Sequence, residues 1–554
     1  MIKNKKFLLL TVLAVFSLVL AACGFGGDKS DNSSSSDGNK DSGSKAKELN
    51  VAIASEPPSL HPGLASDTDS SAILTNIFEG LVVVDQEGTP TPGMAEKWEI
   101  SDDKKTYTFK LRDAKWSNGD PVVAGDFEYA WKWALNPENL SQYASIFYPI
   151  KGAQAYNEGG GSVDAIGIKA EDDKTLVVTL ENPTPYFLEL TGFKTYLPIN
   201  QKVTEANEEW YADAGEDYVT NGPYKLSDWK HSASIVLTKN EDYWDASNVD
   251  VTTVNVAMIE KESVVATNFK SGSLDYIGKP FQTVDLNAID EFKKDGSLKI
   301  KDEASIYWYK LNTKDKIMSN VNIRKALTLA IDRQTLIDNV TKGEQKPALG
   351  MVPLSVPGFE EDRGYYKDND VDEAKAALEA GMKELGIKDP KDIKVNISFN
   401  TSEGHAAIAQ YIQEEWSKKL GITSQLDNSE WQVYLEKLKT GDYQIGRLGW
   451  VADYIDAYTF LEMYDTAKNG NNQTGWENAQ YKDLLKKVVA EVDEAKRLDY
   501  LKQAEAIAMT EFPVAPIYYY THLSVVKEGI ENLDTNPTGD IHFKDVKMKE
   551  VKNK

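Results

Sequence analysis

Residues Asp103–Leu135 read DKKTYTFKLRDAKWSNGDPVVAGDFEYAWKWAL and carry two hydrophobic periods in succession. In Lys105–Arg112, Tyr107, Phe109 and Leu111 alternate with Thr106, Thr108 and Lys110, the period of two expected of a strand that buries one face. From Ala124 to Leu135 the period changes: Phe127, Trp131 and Leu135 recur every four residues, the stripe of an amphipathic helix. Asn136-Pro137 ends that helix, because the residue before a proline is pushed out of helical geometry. A strand, a turn and a helix in close succession argue for an α/β or α+β architecture.

The same mixture extends outward on both sides without an internal repeat. Leu49–Ile53 alternates as a strand, and Thr175–Leu180, TLVVTL, is a strand closed by Asn182-Pro183-Thr184-Pro185. Ile306–Asn312 reads as a strand, and Ile323, Leu327 and Ile331 predict a helix over Val321–Val340. Further helices fit Asp372–Leu385, Gly404–Leu420 and Tyr481–Phe512, with strands at Ile393–Phe399 and Asp442–Leu448. With 554 residues, 41% of them hydrophobic, the chain has enough core for about three or four units. No Pro/Gly-rich linker divides the body into successive independent beads, which leaves room for chain crossings between lobes.

Composition removes several functions. Lys+Arg of 62 against Asp+Glu of 87 gives a net charge of −25, which disfavours nucleic acid and anionic headgroups as partners. One cysteine, Cys23, excludes an intramolecular disulfide and any multi-cysteine metal site. Lys3, Lys5 and Lys6 precede the uncharged run Phe7–Leu20, whose fourteen residues are too few to span about 30 Å of hydrocarbon comfortably. Residues 1–22 therefore read as a secretory signal. The run ends in Leu20-Ala21-Ala22-Cys23, which resembles the lipobox of bacterial lipoproteins, where a diacylglycerol is attached to the cysteine; an ordinary signal with a chance cysteine is the alternative. Removing residues 1–22 would leave a side-chain net charge of −28, so lipid rather than charge would hold the protein at a membrane. Residues 24–47 are almost all Gly, Ser, Asp, Asn and Lys and read as a flexible tether with an r.m.s. reach of about 25–30 Å.

Enzymatic motifs are missing. His61, His231, His405, His522 and His542 are dispersed, with no metal-ligand spacing. There is no G-x-S-x-G elbow and no Walker A loop, and Gly159-Gly160-Gly161 lacks a dinucleotide fingerprint. Neither catalysis nor a metal is expected; a two-acid glycosidase is not excluded by counting carboxylates, but nothing pairs them in the linear sequence.

The opening stretch, together with TNGPYKL (Thr220–Leu226), NIRKALTLAIDR (Asn322–Arg333), RLGWVADYIDAYTF (Arg447–Phe460) and PVAPIYYY (Pro513–Tyr520), resembles the extracellular solute-binding proteins of peptide ABC importers, family 5. The likeness is strongest to the oligopeptide-binding lipoproteins of Gram-positive bacteria. The resemblance implies a two-lobed, periplasmic-binding-protein-like α/β fold of class II type with an additional inserted domain, closing over its ligand. Residues 48–79, 206–300 and 521–554 would form lobe I, 80–205 the additional domain and 301–520 lobe II. It also implies capture of short extracellular peptides by a monomer, anchored through lipid on Cys23 at the outer face of the cell membrane, for delivery to a permease driven by ATPase subunits.

Binding peptides of many sequences means holding what all peptides share. Asp453 matches the aspartate that in this family takes the α-ammonium, a charge-assisted bond. Gly449, Trp450 and Val451 resemble the strand that pairs with the ligand's backbone, and Ser66–Thr68 would supply the opposing segment unless it is a plain surface loop. Tyr143 and Trp431 match pocket aromatics, with the hydrophobic core as the alternative. Of Tyr518, Tyr519 and Tyr520, only one face of the strand can look into a cleft, and Tyr519 is the one expected there. Arg447 and His405 match partners for the ligand carboxylate. For Arg447 an internal ion pair with Asp453 is the alternative, and for His405 a partly exposed helix start; Lys342 is a further, weaker cation.

Overall fold

A computed structural model describes residues 47–549. The signal segment 1–22 and the Cys23–Ala46 part of the tether lie outside the described residues. Within them, Thr106–Leu111 is a strand and Ala124–Leu135 a helix, as the two periods require. The strand belongs to an antiparallel sheet ordered Ala95–Ile100, Thr106–Leu111, Thr175–Thr179, Ile168–Asp172. The helix packs against that sheet with Phe127, Trp131 and Leu135 fully buried, each burial stabilising by roughly 1.5–3 kcal/mol. Asp126 turns back so that its Oδ2 accepts the Val123 N–H and the Trp116 indole N–H, both at 3.0 Å. That satisfies a donor at the helix start which has no partner within the helix.

Two further sheets organise the rest. In one, Glu48–Ile53 pairs in parallel with Thr253–Met258, which continues antiparallel to Ser234–Lys239 and then Tyr224–Lys230. The other has seven strands, with Leu298–Leu311 and Val514–Val526 at its centre, antiparallel from Leu298 opposite Val525 to Lys310 opposite Val514. On one side Val514–Val526 pairs with Tyr276–Gly278; on the other Leu298–Leu311 pairs with Ile445–Val451, followed by Lys394–Asn400 and Thr423–Ser429. The expected boundaries at 300/301 and 520/521 thus fall inside two long paired strands.

Three expected elements differ. Val321–Val340 is not one helix: it stops at Leu329, and the Asp332 side chain accepts the Thr335 N–H at 2.9 Å to start Arg333–Leu336. Tyr481–Phe512 splits into Ala479–Ala490 and Glu494–Glu511, with Asp493 capping the second through the Lys496 N–H at 3.0 Å. In both places an aspartate serves as an N-cap rather than continuing the helix. The strand expected at Asp442–Leu448 is displaced to Ile445–Val451.

Candidate functional site

The strand Ile445–Val451 is covered along one edge by Leu298–Leu311 from Ile445 to Val451, but along the other Lys394–Asn400 pairs only with Ile445 and Gly446. From Arg447 to Val451 the second edge has no strand partner among the described residues. It faces a cavity of about 700 Å³, a size typical of small-ligand sites. Residues 447–453 form one wall, and Ser66, Thr68, Tyr143, His405 and Trp431 also line the cavity. Segments far apart in the chain therefore meet here.

Beyond Val451 the chain turns, and Asp453 is held at the turn by weak contacts. Thr459 Oγ1 donates to Oδ2 at 3.3 Å, and the Tyr143 hydroxyl donates to Oδ1 at a long 3.5 Å. Desolvation pushes the Asp453 carboxyl up to about 6, against the opposing influence of Lys194, Thr459 and Tyr143. Tyr143 is buried and its ring stacks on Trp450, centroids 6.1 Å apart. Asp453 is thus a half-buried carboxylate that makes no ion pair among the described residues, Lys194 acting on it only through space.

Arg447 sits at the start of the open edge, and roughly 13 Å of extended main chain separate it from Val451. Its Nη2 donates to the Tyr520 hydroxyl at 2.8 Å and its Nη1 to Asn400 Oδ1 at 3.3 Å, and the guanidinium lies 4.7 Å from the Tyr307 ring centroid. Nε is buried and has no partner among the described residues. Arg447 makes no ion pair with any described carboxylate, so the internal pair with Asp453 does not form. Lys279 Nζ stands 3.2 Å from the Tyr520 ring centroid and 3.9 Å from Glu303 Oε2. His405 Nδ1 is 3.5 Å from the Tyr307 hydroxyl. Desolvation, with Arg447 and Lys279 nearby, holds the His405 pKa well below its ordinary value. At neutral pH this histidine offers a hydrogen bond rather than a charge.

Gly449 lies midway along the open edge, and a Cβ there would come 3.3 Å from the Tyr520 hydroxyl and 3.4 Å from the Ile306 carbonyl oxygen. The backbone that approaches Gly449 is thus its own sheet neighbour's. Ser66 and Thr68 reach the cavity differently from an opposing strand: Asp67 accepts the Ser70 N–H at 2.9 Å, and Thr68 begins the helix Thr68–Ile77. Trp431 opens the helix Trp431–Thr440 and packs towards Tyr434, ring centroids 6.4 Å apart.

The expectation for Tyr519 is corrected. Its hydroxyl is buried on the opposite face of the strand, donating to Gly350 O at 3.2 Å and accepting from Arg363 Nη2 at 3.3 Å, while Tyr518 and Tyr520 line the cavity. Lys342 also stays outside and pairs with Asp290 at 2.6 Å. Sequence reasoning passed over Lys194, Lys279 and Tyr307. Tyr307 was legible as part of a strand, but nothing local marked the two lysines.

At another point of the wall, two helices exchange caps. Glu262, opening Glu262–Lys270, accepts from the Ser402 hydroxyl and from the Glu403 N–H at 3.0 Å. Glu403, opening Glu403–Leu420, accepts in return from the Ser263 N–H at 2.9 Å and its hydroxyl at 3.1 Å. Each carboxylate satisfies donors at the other helix's start.

Residues 89–472 match the family described as bacterial extracellular solute-binding proteins, family 5 Middle. The chain is 50% identical over 549 residues to the oligopeptide-binding protein OppA of Bacillus subtilis, covering 99% of this chain and 100% of that protein. Among solved structures, Listeria monocytogenes OppA bound to peptide superposes with a TM-score of 0.85 at 31% identity, covering 92% of this chain and all of that one. The Escherichia coli murein tripeptide-binding protein MppA gives a TM-score of 0.87 at 29% identity, covering 92% and 99%. The same protein in its unliganded open form gives only 0.62 at the same identity, covering 91% and 98%. Two structures of one relative thus differ in how well they superpose, and the arrangement found here departs from the open one. Sequence, two-lobed α/β fold and cavity agree: the chain belongs to the extracellular solute-binding proteins of family 5.

Proposed function

We propose that the cavity holds a short peptide along the open edge of Arg447–Val451, and that the protein captures such peptides outside the cell for an ABC importer. The observation that carries this reading is a strand edge with no strand partner beyond Gly446 among the described residues, its Arg447 carbonyl taken by the Tyr434 hydroxyl, bounded by a cation at one end and a carboxylate at the other. Backbone pairing is indifferent to side chains, so it suits a ligand defined as a class. Asp453 takes the α-ammonium, and Arg447, with His405 as a neutral hydrogen-bonding partner, takes the carboxylate of ligands of suitable length. Tyr143, Trp431 and Trp450 line side-chain pockets, and Ser66 and Thr68 contribute from the facing wall. No covalent chemistry is involved.

The ligand enters between the lobes, 48–79 with 206–300 and 521–554 on one side and 301–520 on the other, the additional domain being 80–205. The low match to the open MppA form and the cap exchange between Glu262 and Glu403 support closure of those lobes over the peptide. Lipid on Cys23 anchors the protein at the outer membrane face, where permease and ATPase subunits receive the ligand. Among the described residues no helix is long and apolar enough to cross a membrane. Native mass spectrometry of protein purified without added ligand tests the central reading. A ladder of peptide masses is expected, and a single non-peptide mass would refute it. For the anchor, palmitate labelling is expected to vanish in Cys23→Ala while the protein is released to the medium.

A further inference from the structure

One cation on the cavity wall lacks a partner. Lys194 is only 5% exposed and lines the cavity. Its Nζ stands 4.0 Å from the Phe193 ring centroid and 4.5 Å from that of Tyr143, and makes no hydrogen bond or ion pair with any described residue. Asp67, which acts on it through space, already uses both carboxylate oxygens on Ser70. The ammonium faces the cavity without an acceptor from the described residues, so its donors are open to whatever occupies that space.

We propose that Lys194 donates a hydrogen bond to the carbonyl oxygen of the ligand's first residue, a second sequence-independent contact beside Asp453. The inference rests on the peptide reading and deepens it. Position supports it: Tyr143 joins the two groups, its hydroxyl 3.5 Å from Asp453 Oδ1 and its ring 4.5 Å from Lys194 Nζ. In any peptide the first carbonyl oxygen lies on the order of 3 Å from the α-nitrogen, so a donor flanking the ammonium's carboxylate is suitably placed to meet it. Charge selects a carbonyl over a carboxylate. Asp453, Asp67 and Asp540 all act on Lys194; an acidic ligand group would add a fourth negative charge there, whereas a carbonyl adds none. Desolvation holds the lysine's pKa below its ordinary value, and the three aspartates only partly offset it.

Isothermal titration of wild type, Lys194→Met and Lys194→Arg tests this with two ligands: pentaalanine, and its analogue with a trans-alkene in place of the first peptide bond. Lys194→Met is expected to weaken pentaalanine binding about tenfold or more and to leave the analogue within about twofold. Lys194→Arg, which keeps a donor, is expected to retain most of the affinity. Equal weakening of both ligands, or no weakening of either, overturns the contact. Should Lys194→Met not fold, the two ligands on wild type decide, because equal affinity for them overturns it as well. If wild type binds pentaalanine not at all, the peptide reading itself has failed, a result distinct from these.

Discussion

The two ends of the open strand edge carry opposite charges and are supported in opposite ways. At one end Arg447 is fastened by the Tyr520 hydroxyl, Asn400 and the Tyr307 ring, all uncharged groups that orient the guanidinium without neutralising it. At the other, Asp453 has only a threonine hydroxyl and a distant phenol, and desolvation raises its pKa. The cation is oriented by three neighbours and keeps only Nε unpartnered among the described residues, while the carboxylate has only weak contacts. The ammonium contact should therefore dominate affinity, with the carboxylate contact adding to it for ligands of suitable length.

The largest effect expected is on Asp453→Ala. Loss of a desolvated charge partner costs about 2–5 kcal/mol, so titration with a free-amine pentapeptide should show affinity reduced roughly 30-fold or more. N-acetylation of the peptide should cost wild type as much and the variant nothing further. Equal binding of both peptides to wild type would erase the asymmetry between the ends. Arg447→Met should cost less, about 1.5–3 kcal/mol, and only for peptides whose carboxylate reaches it; C-terminal amidation of such a peptide should reproduce the loss. A larger loss than in Asp453→Ala would invert the comparison.

Acidity acts on one end only. The ligand-free Asp453 carboxyl titrates near 6, and an ammonium favours its charged form. Binding is thus strongest above that pH and weakens as pH falls through it, by about tenfold per unit once below. Titrations from pH 7.5 to 4.5 should show this slope in wild type and lose it in Asp453→Asn. The smallest effect expected is on Tyr519→Phe: peptide affinity unchanged, with about 1 kcal/mol of stability lost in thermal unfolding as the bonds to Gly350 and Arg363 disappear. A change in affinity would mean that this face of the strand communicates with the cavity.

Legibility followed distance along the chain. Arg447, Gly449 and Asp453 lie within seven residues, so motif and spacing were enough to place them on one wall. Tyr519 was misassigned because its face depends on a remote register. Beside it the pairing shifts by one residue, Tyr307 facing Tyr518 but Trp308 facing Pro516. A one-residue slip exchanges the two faces of a strand, and nothing in the run of three tyrosines reveals a slip in a partner some two hundred residues away.

Local chemistry settled much of the rest. Hydrophobic period decided which segments became strands or helices, because burying one face is a requirement of each segment on its own. The aspartates that interrupted two expected helices were visible but ambiguous, since an interior position and a cap differ only in the backbone around them. What folding alone decided was which distant groups share a desolvated space. Lys194, Lys279, Tyr307 and Asp453 acquire their roles from mutual proximity and the removal of water, and both arise only when separate sheets close around a common cavity.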